Sequence, residues 1–121
     1  MSRRVLINLA TGLEDAERVT VAFLVAGAAI ERGSEVAMFL TKEAVRLAIP
    51  GHAQATACDG CPPLARLFDQ FAGGGTLLVC PICASARKLD PDGFVEHATL
   101  AGATPMWEWL GDEPGSVVFS Y

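Results

Sequence analysis

The first third of the chain alternates apolar segments with one long helical pattern, and this order constrains the fold more than any other feature. Residues 5–10 form an apolar run of the kind found in a central strand buried on both faces. Residues 14–31 combine helix formers with a broad apolar surface, and Gly33 ends that helix. Residues 35–41 predict a second strand. A strand, a helix and a strand in this order predict a right-handed crossover with parallel strands.

The rest of the chain continues this alternation, and it contains no linker or internal repeat. The predicted later elements are helix 42–49, a helix opened by Pro62-Pro63 and ended by glycines 73–75, strand 76–80, a helical turn to 87, strand 97–101, a helix opened by Thr104-Pro105, and strand 117–121. We therefore predict a single domain over residues 1–121. Its fold class is α/β, a three-layer α/β/α arrangement with a five-stranded, mainly parallel sheet.

Charge and hydropathy limit the partners. The net charge is −5, and the longest basic runs are the pairs Arg3-Arg4 and Arg87-Lys88, so we expect no nucleic acid partner. Residues 19–30 are nearly all apolar but fall short of the roughly 20 residues of a membrane span. The N-terminus carries no export signal. These features predict a cytoplasmic protein without a membrane span.

The surface is expected to be partly apolar. Charged residues make up only 19% of the chain, and its mean hydropathy is +0.35. Because a soluble domain usually carries about 25% charged residues, some apolar surface should be buried against another subunit. The composition therefore predicts a homo-oligomer.

All four cysteines fall in two Cys-x-x-Cys pairs, Cys58 with Cys61 and Cys80 with Cys83. In a reducing cytosol such pairs more often bind metal or react than form structural disulfides. The helix from Pro62 should run antiparallel to strand 76–80, which brings both pairs to the carboxyl end of the strands. That edge is the usual ligand site of open α/β sheets, and we expect the four sulfurs to share a pocket there.

Cys80 is predicted to be the most reactive of the four thiols. Cys80-Pro81 places the cysteine at a helix cap, with proline at the first helical position, where unpaired N–H groups favour thiolate. Arg87 follows Cys83 by four residues, so on a continuing helix its guanidinium lies on the same face and can stabilise a sulfur anion. The predicted catalytic residues are Cys80, Cys83 and Arg87.

The segment Gly73-Gly-Gly-Thr-Leu-Leu-Val-Cys-Pro-Ile-Cys-Ala-Ser-Ala-Arg87 resembles the DsrE/DsrF-like proteins, which include sulfur-relay subunits. The resemblance extends over most of the chain, through the first strand and helix, Pro62-Pro63-Leu64, Leu100-Ala-Gly-Ala and Phe119. It implies a five-stranded α/β/α fold, trimers or hexamers, and a persulfide-carrying cysteine that matches Cys80. Relay members often have only that cysteine and a glycine after the arginine, where this chain has Cys83 and Lys88.

Three functions remain open at this point. In the first, Cys80 carries sulfur as a persulfide between a donor and an acceptor protein, and Cys83 or Cys61 resolves it, with no cofactor required. In the second, zinc binds Cys58, Cys61, Cys80 and Cys83, whose spacing lies within that of four-cysteine sites. The third is dithiol/disulfide redox chemistry.

Overall fold

The structure, a computed structural model, describes residues 3–55 and 58–121. The strands are β1 (Arg4–Leu9), β2 (Glu35–Leu40), β3 (Gly75–Val79), β4 (Ala98–Leu100) and β5 (Val117–Ser120). They form one sheet in the order β4-β3-β2-β1-β5, and every neighbouring pair is parallel. The predicted five-stranded α/β/α fold is therefore confirmed, with a sheet that is entirely rather than mainly parallel.

In the described part of the chain, four α-helices connect the strands: α1 (Ala16–Glu31), α2 (Leu64–Ala72), α3 (Pro81–Ala86) and α4 (Ala103–Leu110). Short 3-10 segments lie at Leu13–Asp15, Lys42–Ala48, Ala53–Ala55 and Pro91–Gly93. Within the two described ranges, none of the helices is long and apolar enough to cross a membrane.

The sheet buries both of its faces against helices. Val5 and Ile7 of β1 point into the larger apolar cluster, which includes Phe23 of α1 and Phe71 of α2. Leu6 points the opposite way, into a smaller cluster that includes Leu110 of α4. This two-residue alternation follows from the strand pleat, because successive side chains leave a strand on opposite sides.

Several helix starts differ from the sequence predictions. Segment 42–48 is a 3-10 helix, and its first residue, Lys42, has a φ of 52°. α1 begins at Ala16 because the Asp15 side chain accepts a hydrogen bond from the Arg18 backbone N–H and caps it there. α4 begins at Ala103, so Pro105 is its third residue rather than its first. Proline is tolerated there because the first four N–H groups of a helix lack an internal partner.

Candidate functional site

Cys80 lies at the carboxyl end of β3, where sheet hydrogen bonds fix its backbone. Its N–H donates to the carbonyl oxygen of Leu40 at 3.0 Å. On the other side of β3, the N–H of Ala101 donates to the carbonyl oxygen of Val79 at 2.9 Å. The sheet therefore holds Cys80 between the ends of β2 and β4, at the predicted edge.

The connections that leave β3 and β4 cross opposite faces of the sheet. α3 follows β3 and contributes Ala84 to the larger apolar cluster, whereas α4 follows β4 and contributes Leu110 to the smaller one. The two connections remain close at their start, since a Cβ added at Gly102 would lie 3.8 Å from Cδ of Pro81. Open α/β sheets bind ligands in the crevice that such a divergence creates. Cys80 therefore lies at the place where this fold class usually binds a ligand.

Cys80 and Cys83 are free thiols at the two ends of the first turn of α3. Cys80 is the N-cap residue with an extended backbone, and Pro81 is the first helical residue, as predicted. The carbonyl oxygen of Cys80 accepts a hydrogen bond from Ala84 at 3.0 Å. Both thiols are half-buried and pack against the larger apolar cluster. Such thiols combine access for a reactant with a fixed position, which a sulfur nucleophile requires.

Arg87 does not pair with a cysteine sulfur in this structure. Its Nε donates to the carboxylate of Glu43, and its Nη1 donates to the carbonyl oxygen of Cys83 at 3.2 Å. Arg46 donates to the same carboxylate at 3.0 Å. The hydrogen bonds from Arg87 and then Arg46 hold the pKa of Glu43 below its usual value. The predicted role of Arg87 at a sulfur anion stays a prediction, and the structure places its guanidinium against the backbone at the end of α3.

Sequence reasoning missed Glu43. Its spacing of three from Arg46 indicates a local ion pair, but no local signal connects it with Arg87, which is 44 positions away. The loop after β1 packs against the same residue, because a Cβ added at Gly12 would lie 2.6 Å from the carbonyl oxygen of Glu43. Glu43 is therefore held between the loop after β1 and the end of α3.

The other cysteine pair is in a different state. Cys58 and Cys61 are joined as a disulfide across a tight turn, with their Cα atoms 5.4 Å apart. The N–H of Cys61 donates to the carbonyl oxygen of Cys58 at 3.2 Å, and Gly60 in the turn has a φ of 78°. A positive φ of this size favours glycine, so Gly60 suits the turn.

Among the described residues, the four cysteines do not form a single metal-ligand cluster. Within residues 3–55 and 58–121, no three side chains among histidine, cysteine, aspartate and glutamate are close enough to hold a metal ion. The arrangement consists of one bonded pair, Cys58 with Cys61, and one free pair, Cys80 with Cys83. A four-cysteine zinc site would require the two pairs to come together, and zinc binding stays a prediction.

Solved structures share this fold at low sequence identity. The crystal structure of the YchN protein from E. coli superposes with a TM-score of 0.74 at 13% identity, and the match covers 100% of both chains. The structure of MTH1491, a protein of unknown function from Methanobacterium thermoautotrophicum, superposes with a TM-score of 0.65 at 12% identity over 99% of this chain and 100% of that one. These matches establish the shared fold alone.

The sequence itself identifies the family. No curated protein sequence matches the chain. The sequence model of the DsrE/DsrF-like family, however, matches residues 3–119, which is nearly the whole chain. The chain therefore belongs to the DsrE/DsrF-like family.

Proposed function

We propose that this protein is a sulfur carrier in which Cys80 accepts sulfane sulfur as a persulfide and passes it to a thiol of a partner protein. The observation that carries this proposal is the position of a free, half-buried thiol at the crevice between the ends of β3 and β4. Membership of the DsrE/DsrF-like family supports a role in sulfur relay or redox chemistry. A reducing compartment such as the cytoplasm suits this function because Cys80 must be a free thiol before each transfer.

The proposed transfer has two steps. The Cys80 thiolate attacks the outer sulfur of a donor persulfide, the donor S–S bond breaks, and the donor leaves as a thiolate. The acceptor thiolate then attacks the outer sulfur on Cys80, and Cys80 leaves as a thiolate. One S–S bond forms and one breaks in each step, so no cofactor or outside oxidant is needed.

Cys83 gives this chain a second way to discharge the persulfide. Cys83 lies three residues after Cys80, one turn along α3. Its thiolate can attack the inner sulfur of the Cys80 persulfide, forming a Cys80–Cys83 disulfide and releasing hydrosulfide. A dithiol reductant then returns both cysteines to thiols. The protein is proposed to use transfer when an acceptor is bound and this resolving step when none is present.

Dithiol/disulfide redox chemistry is the second candidate function. It is favoured by one observation, which is that Cys58 and Cys61 form a disulfide while Cys80 and Cys83 are free. Oxidation of the reduced Cys58–Cys61 pair by an external disulfide would release two thiols from that disulfide and transfer two electrons and two protons. This chemistry can operate without Cys80.

We also propose that the carrier is a homo-oligomer, a trimer or a hexamer. On α4, the side chain of Trp107 is 64% exposed, whereas Trp109 and Leu110 pack towards the sheet. Val118 of β5 is 47% exposed and pairs in register with Leu6, whose side chain points to the same face. Burial of exposed aromatic and branched side chains is the main source of stability in lasting subunit interfaces.

Persulfide loading tests the carrier proposal directly. Reduced wild type, C80S, C83S and the C58S/C61S double variant are incubated with glutathione persulfide and analysed by intact-mass spectrometry. We expect an adduct of about 32 Da on C83S, which lacks the resolving thiol, and a Cys80–Cys83 disulfide with released hydrosulfide in wild type and C58S/C61S. C80S should lose both products. The C58S/C61S variant is the matched control because it removes two thiols and leaves Cys80 intact. An adduct of equal yield on C80S and C83S, or neither an adduct nor a Cys80–Cys83 disulfide in wild type, would contradict the proposal.

A further inference from the structure

A groove of about 740 Å³ lies at the end of the sheet opposite to Cys80. It is lined by the C-terminal half of α1, the turn at Gly33 and Ser34, the start of β1, and β5. Val5, Val25, Val117 and Phe119 supply its apolar surface. This volume lies within the roughly 300–1,000 Å³ of typical small-molecule sites.

The groove follows from the strand order. Val117 and Phe119 pair in register with Val5 and Ile7, so their side chains point to the same side of the sheet as α1. α1 packs mainly against β1 and β2, and it leaves the edge strand β5 only partly covered. Phe119 is consequently 41% exposed, although it is a large aromatic residue. The gap between α1 and β5 therefore results from the strand order, and regular secondary structure forms its walls.

The groove carries positive charge, whereas the protein as a whole is negatively charged. Arg3 and Arg32 both line it, in a chain whose net charge is −5. Other arginines, such as Arg18 and Arg46, pair with nearby carboxylates. Among residues 3–55 and 58–121, neither Arg3 nor Arg32 has an acidic partner. Two arginines that line the groove together with these apolar side chains leave a positive charge that a ligand can neutralise.

We propose that this groove binds a small amphipathic anion, a carboxylate with an aliphatic tail. Guanidinium groups match the planar geometry of a carboxylate and hydrogen bond it through two donors each. The tail would lie along Val25, Val117 and Phe119, where burial of apolar area favours binding. The site lies at the amino ends of the strands, so this inference does not depend on persulfide chemistry at Cys80.

Octanoate is the probe, with octanol as the uncharged analogue of the same tail length. Titration of the full chain is followed by calorimetry and by chemical shifts of Val25, Val117 and Phe119. We expect saturable octanoate binding that perturbs these residues, and at least about tenfold weaker binding of octanol. R3Q and R32Q should each weaken octanoate binding and leave octanol binding unchanged, with the double variant weaker by at least about tenfold.

R66Q is the matched control, because Arg66 is an exposed arginine of α2 that does not line the groove. It removes the same charge and should bind octanoate as wild type does. Equal octanoate affinity in wild type and in the R3Q/R32Q variant would overturn the proposal, as would shifts confined to residues outside the groove. Failure of octanoate to bind while a second copy protects Val117 and Phe119 from solvent would overturn it too, by assigning the groove to a subunit interface.

Discussion

The guanidinium of Arg87 is bonded to the carboxylate of Glu43, although 44 positions separate the two residues. The same guanidinium also reaches the carbonyl oxygen of Cys83. Glu43 is therefore the ion-pair partner of Arg87, the residue that the sequence predicts to lie beside the Cys80 and Cys83 thiols. We infer that Glu43 is a positioning residue in the proposed carrier, because its charge would determine whether Arg87 is available to a sulfur anion.

We predict that E43Q makes the free thiols more reactive at lower pH. Without the carboxylate, the charge of Arg87 is no longer neutralised, and the guanidinium can favour a thiolate at Cys80 or Cys83. The rate of alkylation by iodoacetamide, measured against pH in the C58S/C61S background, should rise to its plateau at lower pH in E43Q than in the parent. The pH profile separates this effect from simple loosening of α3, which would raise the rate at every pH.

Two further variants provide the controls for this prediction. E43Q/R87Q should return towards the profile of the parent, because the guanidinium that causes the shift is gone. R46Q removes the other arginine on Glu43 and leaves the contact between Arg87 and Cys83 intact, so it should shift the profile less. Identical profiles for E43Q and its parent would show that Glu43 does not control the thiols.

The sequence predicts the features of this fold that depend on local patterns, but not the contacts that depend on long-range packing. The strands, the parallel order and the Cys80-Pro81 cap depend on patterns within a few residues, and the structure contains them. The Glu43–Arg87 contact depends on the packing of segment 42–48 against α3, which no local pattern specifies. The relation between the two cysteine pairs depends on how the loop through residue 58 folds, and composition does not determine this.

His97 gives a testable pH dependence of stability. It packs against the rings of Phe68 and Phe71, with centroids at 5.2 and 6.1 Å, and its buried Nε2 has no hydrogen-bond partner among the described residues. Burial lowers the pKa of His97 below 6.5, and the charge of Asp69 opposes that shift only in part. The unfolded chain therefore binds the proton more readily, and stability should decrease as the pH falls below about 6.5.

Chemical denaturation between pH 7.5 and pH 5 measures this dependence. We expect the unfolding free energy of wild type to decrease over that range, and that of H97L to decrease less, because leucine does not titrate. The range stays above the titration of Glu43, whose pKa lies below 4.5. Parallel curves for wild type and H97L would show that His97 binds a proton equally well in both states.

Gly75 is predicted to be intolerant of any side chain. A Cβ added there would lie 2.5 Å from the ring of Phe71, which is fully buried and cannot move aside. G75A should lower the free energy of unfolding by about 1–3 kcal/mol, the usual cost of overpacking a core. G93A is the control, since a Cβ at Gly93 meets no atom within 4 Å, and it should change stability by less than about 0.5 kcal/mol. Equal stability of the two variants would contradict the close approach of β3 and α2.

Trp107 is predicted to lie in the subunit interface of the proposed oligomer. Trp107 is 64% exposed on α4, and Val118, on the face of the sheet that α4 covers, is 47% exposed. Replacing Trp107 by glutamate would place a charge in a desolvated contact, so W107E should shift the mass measured by light scattering towards the monomer. E108Q changes the adjacent exposed residue without adding an unpaired charge, and it should keep the mass of wild type. A W107E variant with the mass of wild type and a native fold by circular dichroism would contradict this prediction. The interface would then lie on another surface, because a glutamate in place of a buried tryptophan weakens the contact.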